Sequence, residues 1–264
     1  MADRSSLIPN LSLLAFLICL ATGIASASPP EPEVSRLNLA STNWCPYICR
    51  DANYPGYIVE YMRELLAKEN IVLEVTVLPW TRAIEMSRQG KFDGLLTAVD
   101  AEAPDFFLSH EAIDSYQMCF YGRDGSKFRY SGRESLANKV IAGIQDYGYG
   151  EPFDSMVTDP GPDEKVILIS SSKPLQSMFG MLMKKRIDLF IEDRAVVEQF
   201  LHQRSSTAAL RNSGCLKRIP FFLALSPGRS NARELMAQLD QLLASQLADQ
   251  IRFEARQRYG LTTP

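Results

Sequence analysis

The chain is expected to fold as two α/β lobes, each a mostly parallel sheet flanked by helices, joined by two crossovers. Three observations carry this expectation. Strand and helix periodicities alternate along nearly the whole length, which implies parallel pairing with right-handed connections. The alternation is interrupted after residue 120 by a polar, glycine-rich break, Gly122-Arg123-Asp124-Gly125-Ser126, and then resumes. Strand-like segments at 116–121 and 216–225 frame the second series, so the chain passes between the two halves twice.

In the first half, residues 39–42 read as a strand and 43–56 as an aromatic-rich loop. A helix follows over 57–70, because Tyr57, Ile58, Tyr61, Met62, Leu65 and Leu66 recur on one face. Residues 71–78 form a β-branched strand ended by Pro79. A short helix at 81–89 stops at Gly90 in the manner of a C-cap, and 95–99 is a strand again. In the second half, 140–144, 165–169 and 187–191 read as strands. Between the last two, Leu175, Met178, Phe179, Leu182 and Met183 mark a helix that closes on Lys184-Lys185-Arg186, charges suited to its C-terminus. Another helix runs to about His202, and Pro220 interrupts the strand-like stretch after it. One long helix over 231–259, with Leu235, Leu239, Leu242, Leu243, Leu247, Ile251 and Phe253 as its apolar positions, is expected to pack on the first lobe.

The ends and the composition bound the class. Arg4, the apolar run over 11–21 and Ala25-Ser26-Ala27 read as a cleavable signal peptide over 1–27, with an apolar core too short for a membrane span. Export to the periplasm follows. Lobe I is then expected over 28–120 plus 221–264, and lobe II over 121–220. The 28 Lys and Arg against 31 Asp and Glu are evenly mixed, which argues against a nucleic-acid partner. Four cysteines remain after the leader, Cys45, Cys49, Cys119 and Cys215, and four allow three pairings. Cys45 and Cys49 lie in one loop and are expected to pair, which leaves Cys119 with Cys215. Neither this spacing nor the distant His110 and His202 suits a metal site.

Trp44, Tyr47, Trp80 and Arg82 fall at the carboxyl ends of predicted parallel strands, where open α/β sheets bind ligands. Tyr147 and Tyr149 stand among glycines on a turn and can supply stacking walls from the second lobe. Glu192 and Asp193 lie between a strand and a helix, where one acid serves as an N-cap and the other can face a cleft. The sequence contains no nucleophile elbow, zinc-protease helix, Walker loop or dinucleotide fingerprint. The reading is a binding protein rather than an enzyme, with no cofactor.

Trp44-x-Pro46-Tyr47, Pro55-Gly56-Tyr57, Pro79-Trp80-Thr81-Arg82 and Gly90-x-x-Asp93, in this order behind an export signal, resemble the bacterial extracellular solute-binding proteins of family 3. The resemblance covers essentially the whole mature chain. It implies the two-lobed type II periplasmic-binding-protein fold, a small polar, amino-acid-like solute in an interlobe cleft, and an ABC permease at the inner membrane as partner to a monomer. It also implies roles. Trp44 and Tyr47 form one wall of the cleft. The segment 97–102 offers Thr97 as a hydroxyl and then an arginine for a substrate carboxylate. Here Asp100 and Glu102 stand where that arginine belongs, which argues against an ordinary α-amino acid; Arg82 is either the substitute cation or a solvated helix residue. The turn over 146–150 donates backbone N–H groups to an anion, and Asp193 takes the ligand's ammonium group. A few relatives on this scaffold are periplasmic cyclohexadienyl dehydratases, for which Glu192 or Glu102 would be the acid or base. A ligand-sensing adaptor is the third reading.

Overall fold

A computed structural model describes residues 1–2, 35–204 and 210–261. Apart from residues 1–2, the expected signal peptide lies outside the described residues. The chain begins β1 (Ser35–Ser41), α1 (Tyr57–Ala67), β2 (Ile71–Val77), α2 (Trp80–Arg88) and β3 (Gly94–Ala98). Short strands β4 (Phe107–Leu108) and β5 (Asp114–Tyr116) precede β6 (Met118–Arg123). Then come β7 (Val140–Ile144), α3 (Phe153–Thr158), β8 (Lys165–Ile169), α4 (Pro174–Met183), β9 (Leu189–Asp193) and α5 (Arg194–Gln203). The remainder is β10 (Leu210–Cys215), β11 (Ile219–Leu225), α6 (Ala232–Leu243) and α7 (Gln246–Arg258).

These strands form two sheets. The first has the order β2-β1-β3-β11-β4, with β5 also paired to β11. Its β1 is parallel to β2 and β3, and β11 runs antiparallel to β3. The second has the order β10-β6-β9-β7-β8, parallel at β9-β7-β8 and antiparallel at β10-β6-β9. Central β3 is buried along its whole length and shows no polar alternation, as a strand covered on both faces should. The apolar face of α1 is buried at Tyr57, Ile58, Tyr61, Met62, Leu65 and Leu66, and burying each such side chain contributes about 1.5–3 kcal/mol.

The closing segment differs from expectation. Instead of one helix over 231–259, α6 and α7 meet at Ser245, whose hydroxyl accepts from Ala248 N at 3.1 Å and donates to Leu242 O at 2.6 Å. A serine offering its own bonds to the backbone competes with helix continuation and starts a new helix instead. The reset lays α7 against α1, where Arg258 Nε reaches Glu60 at 3.0 Å and the Tyr259 hydroxyl donates to Glu60 at 2.7 Å.

The chain leaves the first sheet after Tyr116 and enters the second at Met118; it returns between Cys215 and Ile219. The expected boundaries at 120/121 and 220/221 therefore fall inside β6 and β11. No change of composition marks these passages, because both sheets bury the aromatic and aliphatic residues beside them. The two passages touch: Gln117 Nε2 donates to Leu216 O at 3.1 Å, and Leu216 N donates to Met118 O at 2.8 Å. Beside them the Cys119–Cys215 disulfide ties β6 to β10, and Cys45–Cys49 closes the loop before α1. Both pairings agree with the sequence reading. The Cys119–Cys215 bridge spans 96 residues of chain, so its removal as C119S/C215S is expected to cost about 2–5 kcal/mol. A urea unfolding midpoint unchanged in the double variant would contradict this.

Candidate functional site

Between the two sheets lies a cavity of about 30 Å³, room for one or two waters. Its walls are Thr42, Trp44, Trp80, Thr97, Val99, Glu102, Tyr116, Met118, Tyr147, Gly148 and Phe221. Two wider grooves share these walls. One, of about 440 Å³, runs past Trp44, Tyr147 and Glu192, and the other, of about 680 Å³, runs past Glu102, Tyr147 and Gly148.

The aromatic wall is held from behind. Trp44 N donates to Ile48 O at 2.8 Å in a loop closed by the Cys45–Cys49 bridge. Gly56 completes that loop with φ of 98°, and a Cβ there would lie 2.3 Å from Tyr47 O, so only glycine fits. Trp44 stacks on Tyr47 with centroids 4.1 Å apart and meets Tyr116 and Phe221 edge-on at 5.3 and 5.6 Å. Tyr47 is thus one layer behind the cavity rather than on its surface. Burial, with Asp193 adding to it, keeps its phenol protonated. Trp80 opens α2, and its ring stands perpendicular to Tyr147 at 6.5 Å. The Trp80 Nε1 donor is buried without a hydrogen-bond partner; it lies close enough to Glu102 to favour that carboxylate, but not in bonding geometry.

Three acids sit nearby, with different work. Glu192, buried at the end of β9, accepts from Trp44 Nε1 at 3.4 Å and from Asp193 N at 2.8 Å, both on Oε1. Burial, aided by the Asp193 charge, pushes it up to about 8. Glu102, just past β3, accepts Gly148 N at 2.7 Å and Val99 N at 3.1 Å. Burial pushes it up to about 8 against the opposing pull of those N–H groups. Asp193 accepts Val196 N at 3.1 Å as the N-cap of α5 and Gln117 N at 2.9 Å at the passage between sheets. Its carboxylate is raised, mainly by burial.

The expected assignment of the two neighbouring acids is therefore reversed. Asp193 is committed to backbone donors, and Glu192 lines the groove. Capping and anchoring together make Asp193→Ala expensive: the cap is worth about 0.5–2 kcal/mol and the orphaned Gln117 N–H about 1–3 kcal/mol. A loss of about 2–4 kcal/mol in chemical unfolding is expected, and a loss below about 1 kcal/mol would contradict the assignment.

Other expectations are corrected as well. The Tyr149 hydroxyl donates to Ile144 O at 3.0 Å and also accepts Ile144 N, while its ring packs on Phe153 at 4.9 Å. It belongs to the core of the second sheet. Arg82 and Asp100 are exposed and line none of the three cavities. In the turn over 146–150, the three N–H groups over 148–150 are already used within the protein: Gly148 N is taken by Glu102, and Tyr149 N and Gly150 N are taken by Asp154 at 2.9 and 2.8 Å. Of the expected site residues, Trp44, Trp80, Thr97 and Tyr147 line the central cavity together, with the Thr97 hydroxyl 3.2 Å from that of Ser41. Among the described residues no Lys, Arg or His does so. Tyr116, Met118 and Phe221 also line it. In sequence they carry only a strand signal, which does not separate cleft from core.

No family model matches the sequence, and no curated protein sequence matches it. Solved structures do. An ancestral arginine-binding protein bound to arginine superposes with TM-score 0.70 at 17% identity, covering 85% of this chain and 98% of that one. A putative L-cystine ABC transporter from Listeria monocytogenes gives 0.69 at 15% identity, covering 87% and 97%. The fold is that of the type II periplasmic binding proteins. A histidine kinase sensor domain with similarity to periplasmic binding proteins shares this binding-protein fold, with TM-score 0.70, 16% identity and coverage of 85% and 95%.

Proposed function

We propose that this is an exported solute-binding protein of the family 3 type, which closes two lobes around a small polar solute and presents the closed form to an ABC permease. The observation that carries the reading is the set of contacts bridging the cleft. Glu102 accepts Gly148 N, Thr81 Oγ1 donates to Asp146 at 2.5 Å, the Tyr116 hydroxyl donates to Gly148 O, and Trp44 donates to Glu192. Each joins a residue of the first-sheet side to one of the second, across a cavity too small for a solute. Ligand exchange then requires these contacts to open and re-form, and a solute that binds the closed state more tightly shifts the population toward it. Calorimetry against a solute library, with Trp fluorescence and small-angle scattering as reporters of closure, is the test. No ligand from a broad library, together with a scattering profile that never changes, would overturn the reading.

The sensor-domain neighbour supports a second reading, in which the same closure is read by a signalling protein. Loss of solute uptake in a deletion strain favours transport; loss of a transcriptional response with uptake intact favours sensing. Turnover of prephenate or arogenate by the purified protein would overturn the non-enzymatic reading.

A further inference from the structure

We propose that the solute is an organic cation without a carboxylate, an amine or guanidine on an apolar or aromatic body, with Glu192 as its counter-ion. This rests on the solute-binding reading above. The positions that would receive a ligand carboxylate are filled by the protein's own: Glu102 and Asp154 accept all three successive N–H groups of Gly148, Tyr149 and Gly150. No basic side chain among the described residues lines the central cavity. The basic residues of the Glu192 groove, Lys173 and Arg204, are exposed, and Arg204 lies over the rings of Phe179 and Phe200 at 4.9 and 5.0 Å. An incoming carboxylate would therefore meet two buried acids, with the only cations of the groove at its exposed rim, where solvent weakens their attraction.

A cation meets the opposite surroundings. Glu192 is buried, and only its Oε1 is hydrogen-bonded among the described residues, so Oε2 is open to a donor. Trp44 and Tyr147 line the same groove as Glu192, and a desolvated cation over such an aromatic face gains about 2 kcal/mol. Burial of Glu192 beside Asp193 raises its affinity for protons, and a bound ammonium or guanidinium replaces the proton.

The test compares pairs that differ only in the carboxylate: arginine with agmatine, lysine with 1,5-diaminopentane, and tyrosine with tyramine. Isothermal calorimetry on the full mature protein is expected to show at least one amine bound about 10-fold or more tightly than its amino acid. E192Q, nearly isosteric, is expected to weaken that amine about 10-fold or more while urea unfolding shows it folded. E102A frees Gly148 N and is expected to narrow the gap between amine and amino acid. Tighter binding of the amino acids, or unchanged amine affinity in a folded E192Q, overturns the cation assignment and leaves the solute-binding reading standing. Binding of no member of any pair also overturns it, and an inert scattering profile against a broad library would remove the solute-binding reading with it.

Discussion

Gly148→Ala is expected to hold the protein open. A Cβ at this position would lie 2.5 Å from Val99 Cγ2 and 3.4 Å from Glu102 Cγ. Val99 sits just past β3 and is buried, and its β-branched side chain has few rotamers into which to retreat. Overpacking of this kind costs about 1–3 kcal/mol. The clash arises only when the two lobes meet, so the cost falls on the closed state and lowers its population about 5- to 150-fold relative to the open one. Scattering should report a larger radius of gyration, and affinity for any solute that selects the closed form should fall in proportion. Urea unfolding should change little, since Gly148 belongs to neither sheet. An unaltered scattering profile would show that the cleft does not close on this glycine.

Closure of the empty protein is expected to weaken as pH rises. In water a glutamate titrates near 4.5, whereas Glu102 and Glu192 stand at about 8 in the closed form. Between these values the closed form binds more protons than the open one. Its advantage is full below about 4.5 and is lost as pH passes 8, falling by up to about 1.4 kcal/mol per pH unit for each group. The surroundings act in the same direction. Glu102 faces Asp154, Tyr116 and Tyr147, with Asp146, Glu85 and Arg88 along its groove. Arg88 is engaged by Asp105 at 2.7 Å. Glu192 faces Asp193, Tyr147, Tyr149 and Tyr121, and the exposed Lys173 and Arg204 sit at its rim. These tyrosines are all shifted upward and stay neutral over this range, while Asp193, also raised, adds to the effect. Trp fluorescence or scattering followed from pH 5 to 9 should show the transition, and E102Q/E192Q should flatten it. A wild-type profile that is already flat would contradict it.

The architecture was legible because it is written in periodicity. The face of α1, the β-branched run of β2 and the buried run of β3 each have one stable arrangement, and their order admits few topologies. Ser245 gives no signal in sequence because apolar spacing continues across it, while the break depends on one hydroxyl turning to its own backbone. The cleft was half legible. Trp44, Trp80 and Tyr147 announced themselves as large aromatics beside turn residues, and the missing arginine after Thr97 was visible as Asp100 and Glu102. Which acid faces inward was not, because Glu192 and Asp193 differ by one position in a strand and a one-residue step reverses the side. Nor could the sequence show that Glu102 fills Gly148 N, since that contact joins residues 46 apart across the cleft; Asp154, only four and five residues past Gly150 and Tyr149, carries no signal in sequence beyond that of an ordinary acid in the first turn of a helix.

The linked passages between the sheets limit how the lobes can travel. With Gln117 bonded to Leu216, Leu216 to Met118, and Cys119 bridged to Cys215, the two connecting strands behave as one axle rather than two independent tethers. Sliding one lobe along the other would have to stretch that clamp, whereas rotation about it would not. If the lobes open and close as proposed, rotation about this axle is the motion it resists least, and one spin-label or fluorophore pair placed across the cleft mouth reads the opening angle.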